Sequence, residues 1–177
     1  MSVTEEEDLR KGSIELLKIM MVIGAGIGIV SVFLQWFHFQ YVILNFDYSG
    51  YNFFAKSFGA PESGYFLYMP LVVLISSSAA LVLSILSFRK YEKIAAAAGI
   101  ILGLLIFAAV LLYVLYPETT MLIIDNVSGA GRIGPIKLGE NLGPGVYSAL
   151  VAGTFIFVGG LAILLNRHYE SSHKKDE

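Results

Sequence analysis

Four long apolar runs constrain this chain more than any other feature of its sequence. They cover residues 19–37, 65–88, 94–116 and 145–165, and none of them contains Asp, Glu, Lys, Arg or His. A helix that crosses a bilayer needs about 20 residues. The sequence therefore predicts an all-α membrane protein, a single domain over residues 1–177, with a four-helix transmembrane bundle whose helices lie at about 14–37, 65–88, 94–116 and 145–166.

Composition agrees with this class and excludes others. Hydrophobic residues make up 56% of the chain and charged residues 15%, whereas a soluble domain carries roughly 25% charge. A net charge of −2 argues against a nucleic-acid partner. The chain has no cysteine, which excludes disulfides, thiolate metal sites and cysteine nucleophiles.

The distribution of basic residues predicts the orientation in the membrane. Nine of the 12 Lys and Arg residues precede the first apolar run, follow the fourth, or lie in the short segment "RKYEK" between the second and third runs. By the positive-inside rule, we expect a multi-pass protein of the cell membrane with cytoplasmic tails at 1–13 and 167–177. The loops at about 38–64 and 117–144 would then face outward.

Aromatic residues mark the expected membrane boundaries, because amphipathic rings favour the headgroup level. At the inner ends of the runs these are Phe88, Tyr91 and Tyr169. At the outer ends they are Trp36, Phe37, Tyr65, Tyr68, Tyr113, Tyr116 and Tyr147.

The stretch "GAGRIG" at 129–134 fits the pattern of a dinucleotide-binding loop. That pattern needs a helix opening directly after it, so that the pyrophosphate can sit on the helix N-terminus. Here Pro135 and further glycines follow, in a loop expected outside the cell. We therefore predict no nucleotide, and interpret the glycines as turn residues.

Both outer loops contain residues that favour strands. The first begins "FHFQYVILNFDYSGYNFF", and the third reads "TTMLIIDNV", "SGAG", "RIGPIKL". The third is typical of a hairpin with "SGAG" as its turn, and Pro135 would place its second strand at an edge. We predict one small extracellular β-sheet from loops 1 and 3. The alternative is that both loops lie irregularly on the membrane surface.

The two halves of the chain share short features. Asp47 precedes Ser49-Gly50 as Asp125 precedes Ser128-Gly129, which suggests an internal repeat or a chance similarity. If the repeat is real, the two carboxylates could lie close together and bind a cation; otherwise they cap turns. Asp47, Asp125 and Arg132 are the candidate residues for an outer-face interaction.

Three features together carry a family resemblance: Trp36, the pair Ser49-Gly50 and the fourth run "GPGVYSALVAGTFIFVGGLAILL". With them the chain resembles small, mostly uncharacterised four-helix membrane proteins of archaea and bacteria. Its layout is also similar to that of claudins. The claudin Gly-Leu-Trp element and cysteines are missing here, so the resemblance does not imply a role in paracellular sealing.

Two further patterns concern helix packing and modification. Small residues recur at four-residue spacing, which lets helix backbones approach closely in lipid; these candidate packing residues are Gly24, Gly28, Gly99, Gly103, Ala149 and Gly153. Asn126 opens the sequon "NVS" in the third loop, so it is a candidate glycosylation site.

The apolar runs hold no ionisable residue of the kind that relays protons or binds solutes in transporters. We therefore predict no enzyme activity, cofactor or metal. The expected role is that of a structural or accessory subunit, whose partners are the lipid bilayer and other membrane proteins or copies of itself. The alternative is a small oligomeric channel or carrier with a path lined by Ser76, Ser77 and Ser78. A quinone-linked enzyme is disfavoured by the lack of cysteine and of histidines within the runs.

Overall fold

The computed structural model describes residues 3–41, 44–54, 64–88, 91–116, 119–125 and 129–173, and the surroundings of side chains at 11–40, 47–53, 64–88, 91–116 and 136–168. Four long helices dominate it: α1 (Val3–Ser31), α3 (Met69–Ser87), α4 (Glu92–Val114) and α5 (Pro144–His173). Each contains a stretch long and apolar enough to cross a membrane. The four predicted helices are therefore confirmed, and their length and composition are those of a multi-pass membrane protein.

The long helices form a closed ring. Helix α1 packs against α3 and α5, and α4 packs against the same two helices from the opposite side. The end of the ring where α1 and α4 finish is called the hairpin end below. The opposite end, which holds the first part of α1, the α3–α4 connection and the last part of α5, is called the terminal end.

The first and last helices differ from their predicted bounds. Helix α1 begins at Val3 and ends at Ser31, so residues 32–37 of the first apolar run are not helical. Residues 35–37 belong to a strand instead, in which Gln35 pairs with Ser49 and Phe37 with Tyr48. Helix α5 continues to His173, and both helices thus extend into the segments predicted as tails.

The predicted single sheet is wrong, although strands do form in both loops. The first loop forms a hairpin of β1 (Gln35–Tyr41) and β2 (Leu44–Ser49), followed by the short helix α2 (Gly50–Phe54) and a 3₁₀ turn at Tyr65–Tyr68. The third forms a hairpin of β3 (Thr119–Asp125) and β4 (Gly129–Ile136) and a 3₁₀ turn at Leu138–Glu140. These are two separate two-stranded sheets.

The hairpin predicted from the third loop is confirmed, but its turn was misplaced. Asp125 pairs with Gly129, Ile124 with Ala130 and Ile123 with Gly131. Most of the predicted turn "SGAG" therefore belongs to β4. Pro135 lies where the pairing shifts register, and both strands of a two-stranded sheet are edges, so its missing N–H interrupts no inner ladder.

The two halves of the chain share the order of their secondary-structure elements, but not the positions of the short sequence motif. In each, a long helix is followed by a hairpin, a 3₁₀ turn and a second long helix. Asp47 lies in the second strand of its hairpin, whereas Asp125 ends the first strand of the other. Asp47 and Asp125 therefore occupy different strands of their hairpins and do not correspond in position as the sequence suggested.

Large buried side chains concentrate at the hairpin end. The fully buried aromatic residues there are Trp36, Phe37, Phe53, Phe66 and Tyr113. Trp36, Phe37 and Tyr113 were predicted in the outer aromatic belt. They are instead fully buried, and Trp36 packs edge-on against Tyr113 of α4 in a core. Exposed rings at this end belong to Phe33, Tyr51, Tyr65, Tyr68 and Tyr147.

Candidate functional site

The indole of Trp36 is the centre of the hairpin end. Its Nε1 donates a hydrogen bond to the Ser31 carbonyl at 2.8 Å, which satisfies one of the last carbonyls of α1. The Tyr113 ring meets the indole edge-on, with centroids 5.2 Å apart, and the Tyr113 hydroxyl donates to the Trp36 carbonyl at 3.4 Å. One side chain thereby links the ends of α1 and α4.

Two glycines allow other elements to reach the indole. A Cβ atom on Gly145, in the first turn of α5, would press on Trp36 Cδ1 and lie 2.7 Å from the Ser31 carbonyl oxygen. A Cβ atom on Gly50, at the start of α2, would lie 2.9 Å from Trp36 Nε1 and 2.8 Å from Pro70 Cβ. Only glycine fits at these two positions without movement of the neighbours. Trp36, Gly50 and the Gly-rich start of α5, noted separately in the sequence, therefore meet in space.

Further aromatic rings extend this core beneath the first hairpin. Phe53 of α2 lies between Tyr48 of β2 and Tyr113 of α4, at centroid distances of 6.2 and 5.9 Å. Phe37 packs on Tyr48 at 6.3 Å. Burial raises the pKa of the Tyr48 phenol above its ordinary value, so the phenol stays neutral and belongs to the apolar core.

Backbone hydrogen bonds attach the first hairpin to the segment that precedes α5. His38 N donates to the Asn141 carbonyl at 3.0 Å, and Gly143 N donates to the Trp36 carbonyl at 2.9 Å. Phe37 and Leu142 form an isolated antiparallel bridge. The first hairpin is thus held by both a core and a backbone ladder.

A polar cluster lies on the exposed face of this hairpin. His38 and Asp47 face each other across the strands, and His38 Nδ1 lies 2.6 Å from Asp47 Oδ1. The Gln35 amide contacts the same Asp47 oxygen and lies 3.2 Å from His38 Nδ1. The side chains of His38 and Asp47 are 52% and 58% exposed.

The other outer-face candidates lie in the second hairpin. Asp125 pairs with Gly129 at its tip, and Arg132 pairs with Leu122; the side chains of both lie outside the described surroundings. Asn126 lies outside the described residues. Asp47 is therefore the one predicted outer-face residue whose side-chain contacts are described, and its partners are Gln35 and His38 rather than Asp125.

The candidate packing residues lie at helix–helix contacts. A Cβ atom on Gly24 would meet Phe155 Cβ at 2.6 Å, and one on Gly28 would clash with the Ser77 hydroxyl. On the other side of α5, a Cβ atom on Gly103 would meet Phe157 Cβ at 2.8 Å. The remaining members are buried in the same way: Gly99 against Met21, Gly153 against Ile106, and Ala149 with no exposed surface.

The three consecutive serines of α3 do not share one face. Ser76 and Ser77 are buried, whereas Ser78 is exposed on the outside of the bundle. Within the described part of the chain, the Ser77 and Ser84 hydroxyls are buried without a hydrogen-bond partner. Ser31, by contrast, donates to the Gly28 carbonyl at 2.7 Å.

The terminal end holds a cluster of charges. Glu92, the first residue of α4, forms two ion pairs. Lys18 Nζ of α1 lies 2.7 Å from one of its carboxylate oxygens, and Arg167 Nε of α5 lies 2.6 Å from the other. The side chains of Lys18 and Glu92 are only 10% and 13% exposed. Lys18 Nζ also lies 5.7 Å from the centre of the Phe88 ring. Three helices are thus joined through one carboxylate.

Sequence reasoning missed both polar clusters. The Lys18–Glu92–Arg167 cluster joins residues far apart in sequence, just outside the apolar runs. The His38–Asp47 pair follows from a register in which Tyr41 pairs with Leu44, and the sequence "VI" between those two residues carries no turn signal. Within the described residues, no three His, Cys, Asp or Glu side chains come together. Comparison with protein-family models, curated proteins and solved structures found no match to this chain.

Proposed function

We propose that the protein is a non-catalytic integral membrane protein that acts as a structural or accessory subunit, with its hairpin end as the surface that contacts a partner or the cell envelope. The observation that carries the proposal is the attachment of the first hairpin through Trp36. A loop that only connects two helices needs no core of its own, whereas binding surfaces are commonly loops held by a rigid scaffold. Here both strands rest on buried rings and present a polar outer face.

The proposed orientation has both termini in the cytoplasm, on the strength of the nine basic residues at that side. The absence of cysteine makes it directly testable by labelling with an impermeant thiol reagent in intact cells. Gln40→Cys in β1 should react, and Ser13→Cys in α1 should react only after the cells are permeabilised. The reverse pattern would place the hairpin end inside.

A site-specific photocrosslinker tests the contact surface in native membranes. Gln40 is exposed on the first hairpin, and Val82 is exposed on the side of α3, so the two positions form a matched pair. We expect a discrete protein adduct from Gln40 and mainly lipid adducts from Val82. If Gln40 yields only lipid adducts and the protein migrates as a lone monomer in mild detergent, the accessory role is wrong.

The second candidate function is a small oligomeric channel or carrier. It is favoured by the two buried hydroxyls of Ser77 and Ser84 that lack partners, since such groups in a membrane bundle commonly mark function or bound water. Flux in liposomes that Ser77→Ala and Ser84→Ala abolish, and that Ser78→Ala leaves intact, would support this candidate. Absence of flux in the wild-type protein would reject it.

A further inference from the structure

The exposed polar cluster of the first hairpin depends on an irregularity in β1. Residues three apart in a regular strand point to opposite faces, so Gln35 and His38 would normally be separated. The pairing passes from Gln35↔Ser49 to Phe37↔Tyr48, which leaves Trp36 as an extra residue. Such a bulge redirects side chains and is common beside functional sites. It brings Gln35 to the face that His38 shares with Asp47.

Three potential metal ligands therefore converge on one point. His38 Nδ1 and Asp47 Oδ1 are 2.6 Å apart, and the Gln35 amide touches both groups. Ligand bonds of about 2.0–2.2 Å to one ion place neighbouring ligand atoms roughly 3.0–3.5 Å apart, the smaller value for octahedral and the larger for tetrahedral geometry. A half-turn of the Gln35 amide directs its Oε1 toward the shared point. The His38 and Asp47 side chains, whose ligand atoms lie 2.6 Å apart, must then separate by roughly 0.4–0.9 Å to enclose an ion.

We propose that Gln35, His38 and Asp47 form a binding site for a divalent first-row transition ion, with Zn²⁺ as the reference ion. One imidazole nitrogen and two oxygens suit such ions, whereas Ca²⁺ and Mg²⁺ prefer ligands that are all oxygen. The site is open, because the His38 and Asp47 side chains are more than half exposed, so water completes the coordination. With one carboxylate, its affinity is modest.

The ion would join the two strands at the point where the hairpin meets the rest of the molecule. His38 N also donates to the Asn141 carbonyl beside α5, so an ion on His38 would stabilise that contact as well. This inference is independent of the proposed accessory role, since the site uses only the first hairpin of one chain.

Zn²⁺ titration of the purified full-length protein, prepared with a tag that contains no histidine, tests the proposal. We expect saturable binding of one ion per chain, with Zn²⁺ tighter than Co²⁺, Co²⁺ tighter than Mn²⁺, and no measurable binding of Mg²⁺. His38→Ala and Asp47→Asn should each weaken Zn²⁺ binding by about tenfold or more. Two matched controls should bind like wild type: the double variant His168→Ala, His173→Ala, and Gln40→Ala on the same strand.

Gln35→Glu separates loss of the site from loss of the fold. A second carboxylate at that position should tighten Zn²⁺ binding, and only a folded hairpin can show that gain. The proposal is overturned if wild type shows no saturable binding. It is equally overturned if His38→Ala leaves the affinity unchanged, if the histidine control loses binding, or if Gln35→Glu fails to tighten it.

Discussion

The two ends of the bundle are closed by different chemistry. At the hairpin end, Trp36 and Tyr113 lie in an aromatic core that α5 can approach only because Gly145 has no side chain. At the terminal end, Glu92 holds Lys18 of α1 and Arg167 of α5 through both of its oxygens. The first closure depends on shape and burial, the second on charge.

This difference predicts which kind of substitution should destabilise each end. The stabilisation from a buried aromatic ring depends on the area and volume that it fills. Loss of one large ring therefore leaves a cavity but no unpaired charge. One carboxylate at the terminal end compensates two cations, so its removal leaves the buried Lys18 without a counter-charge. Single substitutions should therefore act through volume at the hairpin end and through charge balance at the terminal end.

The largest expected effect is that of Trp36→Ala. Loss of the indole removes the central ring of the hairpin end, and we expect a decrease in the free energy of unfolding of about 4 kcal/mol. Reversible unfolding in mixed detergent micelles measures it. Tyr147→Ala, which removes an exposed ring at the same end, is the control and should change stability by less than about 0.5 kcal/mol. Equal losses from both variants would contradict a core built on Trp36.

Glu92→Gln should have the next largest effect, with a loss of about 3 kcal/mol, because Lys18 would stay buried without its counter-charge. Addition of Lys18→Met should restore much of this loss, since it removes the uncompensated charge. Lys93→Gln, at the exposed neighbouring position, is the control. If the double variant were as unstable as the sum of its singles, the charges would not act as a set.

Gly145→Ala tests the fit at the hairpin end with a single added methyl group. Overpacking against Trp36 and the Ser31 carbonyl should lower stability by about 2 kcal/mol. Gly26→Ala is the matched control, because a Cβ atom there has nothing within 4 Å and alanine favours a helix. A neutral Gly145→Ala would mean that the indole has room to move.

The smallest effects are expected at two buried serines, and they should differ in sign. Ser77→Ala removes a buried hydroxyl without a partner and should stabilise the protein by about 1 kcal/mol, whereas Ser31→Ala removes a hydrogen-bonded hydroxyl and should destabilise it by about 1 kcal/mol. The same unfolding assay compares them. A destabilising Ser77→Ala would indicate that its hydroxyl is satisfied by bound water, as a polar path would require.

The sequence could predict the helices because the lipid environment demands about 20 apolar residues for each span. It could not predict where the first helix ends, since the apolar run continues to Phe37 while the chain turns at Ser31. Beyond the turn, Trp36 packs against Gly145, which lies more than 100 residues away in the sequence. Hydropathy could not reveal this contact, because an aromatic residue has the same hydropathy whether its ring faces lipid or fills a core.

The candidate site was predictable only in part. Asp47 was singled out, but its partners depend on strand register, which a two-residue shift in the hairpin would change completely. The bulge at Trp36 that brings Gln35 beside His38 leaves no signature in the sequence. The third-loop hairpin was predicted because strand-forming runs flank its glycines, yet those glycines lie in β4 rather than in the turn.

Hydrogen exchange of the protein in lipid nanodiscs tests most directly the claim that the hairpin end is a rigid surface built on Trp36. The account predicts that amides of β1, including His38, exchange nearly as slowly as those of α4. In Trp36→Ala, the β1 amides should exchange fast while those of α4 near Glu92 stay protected. Fast exchange of β1 in the wild-type protein would contradict the account, because the hairpin would then be an ordinary mobile loop.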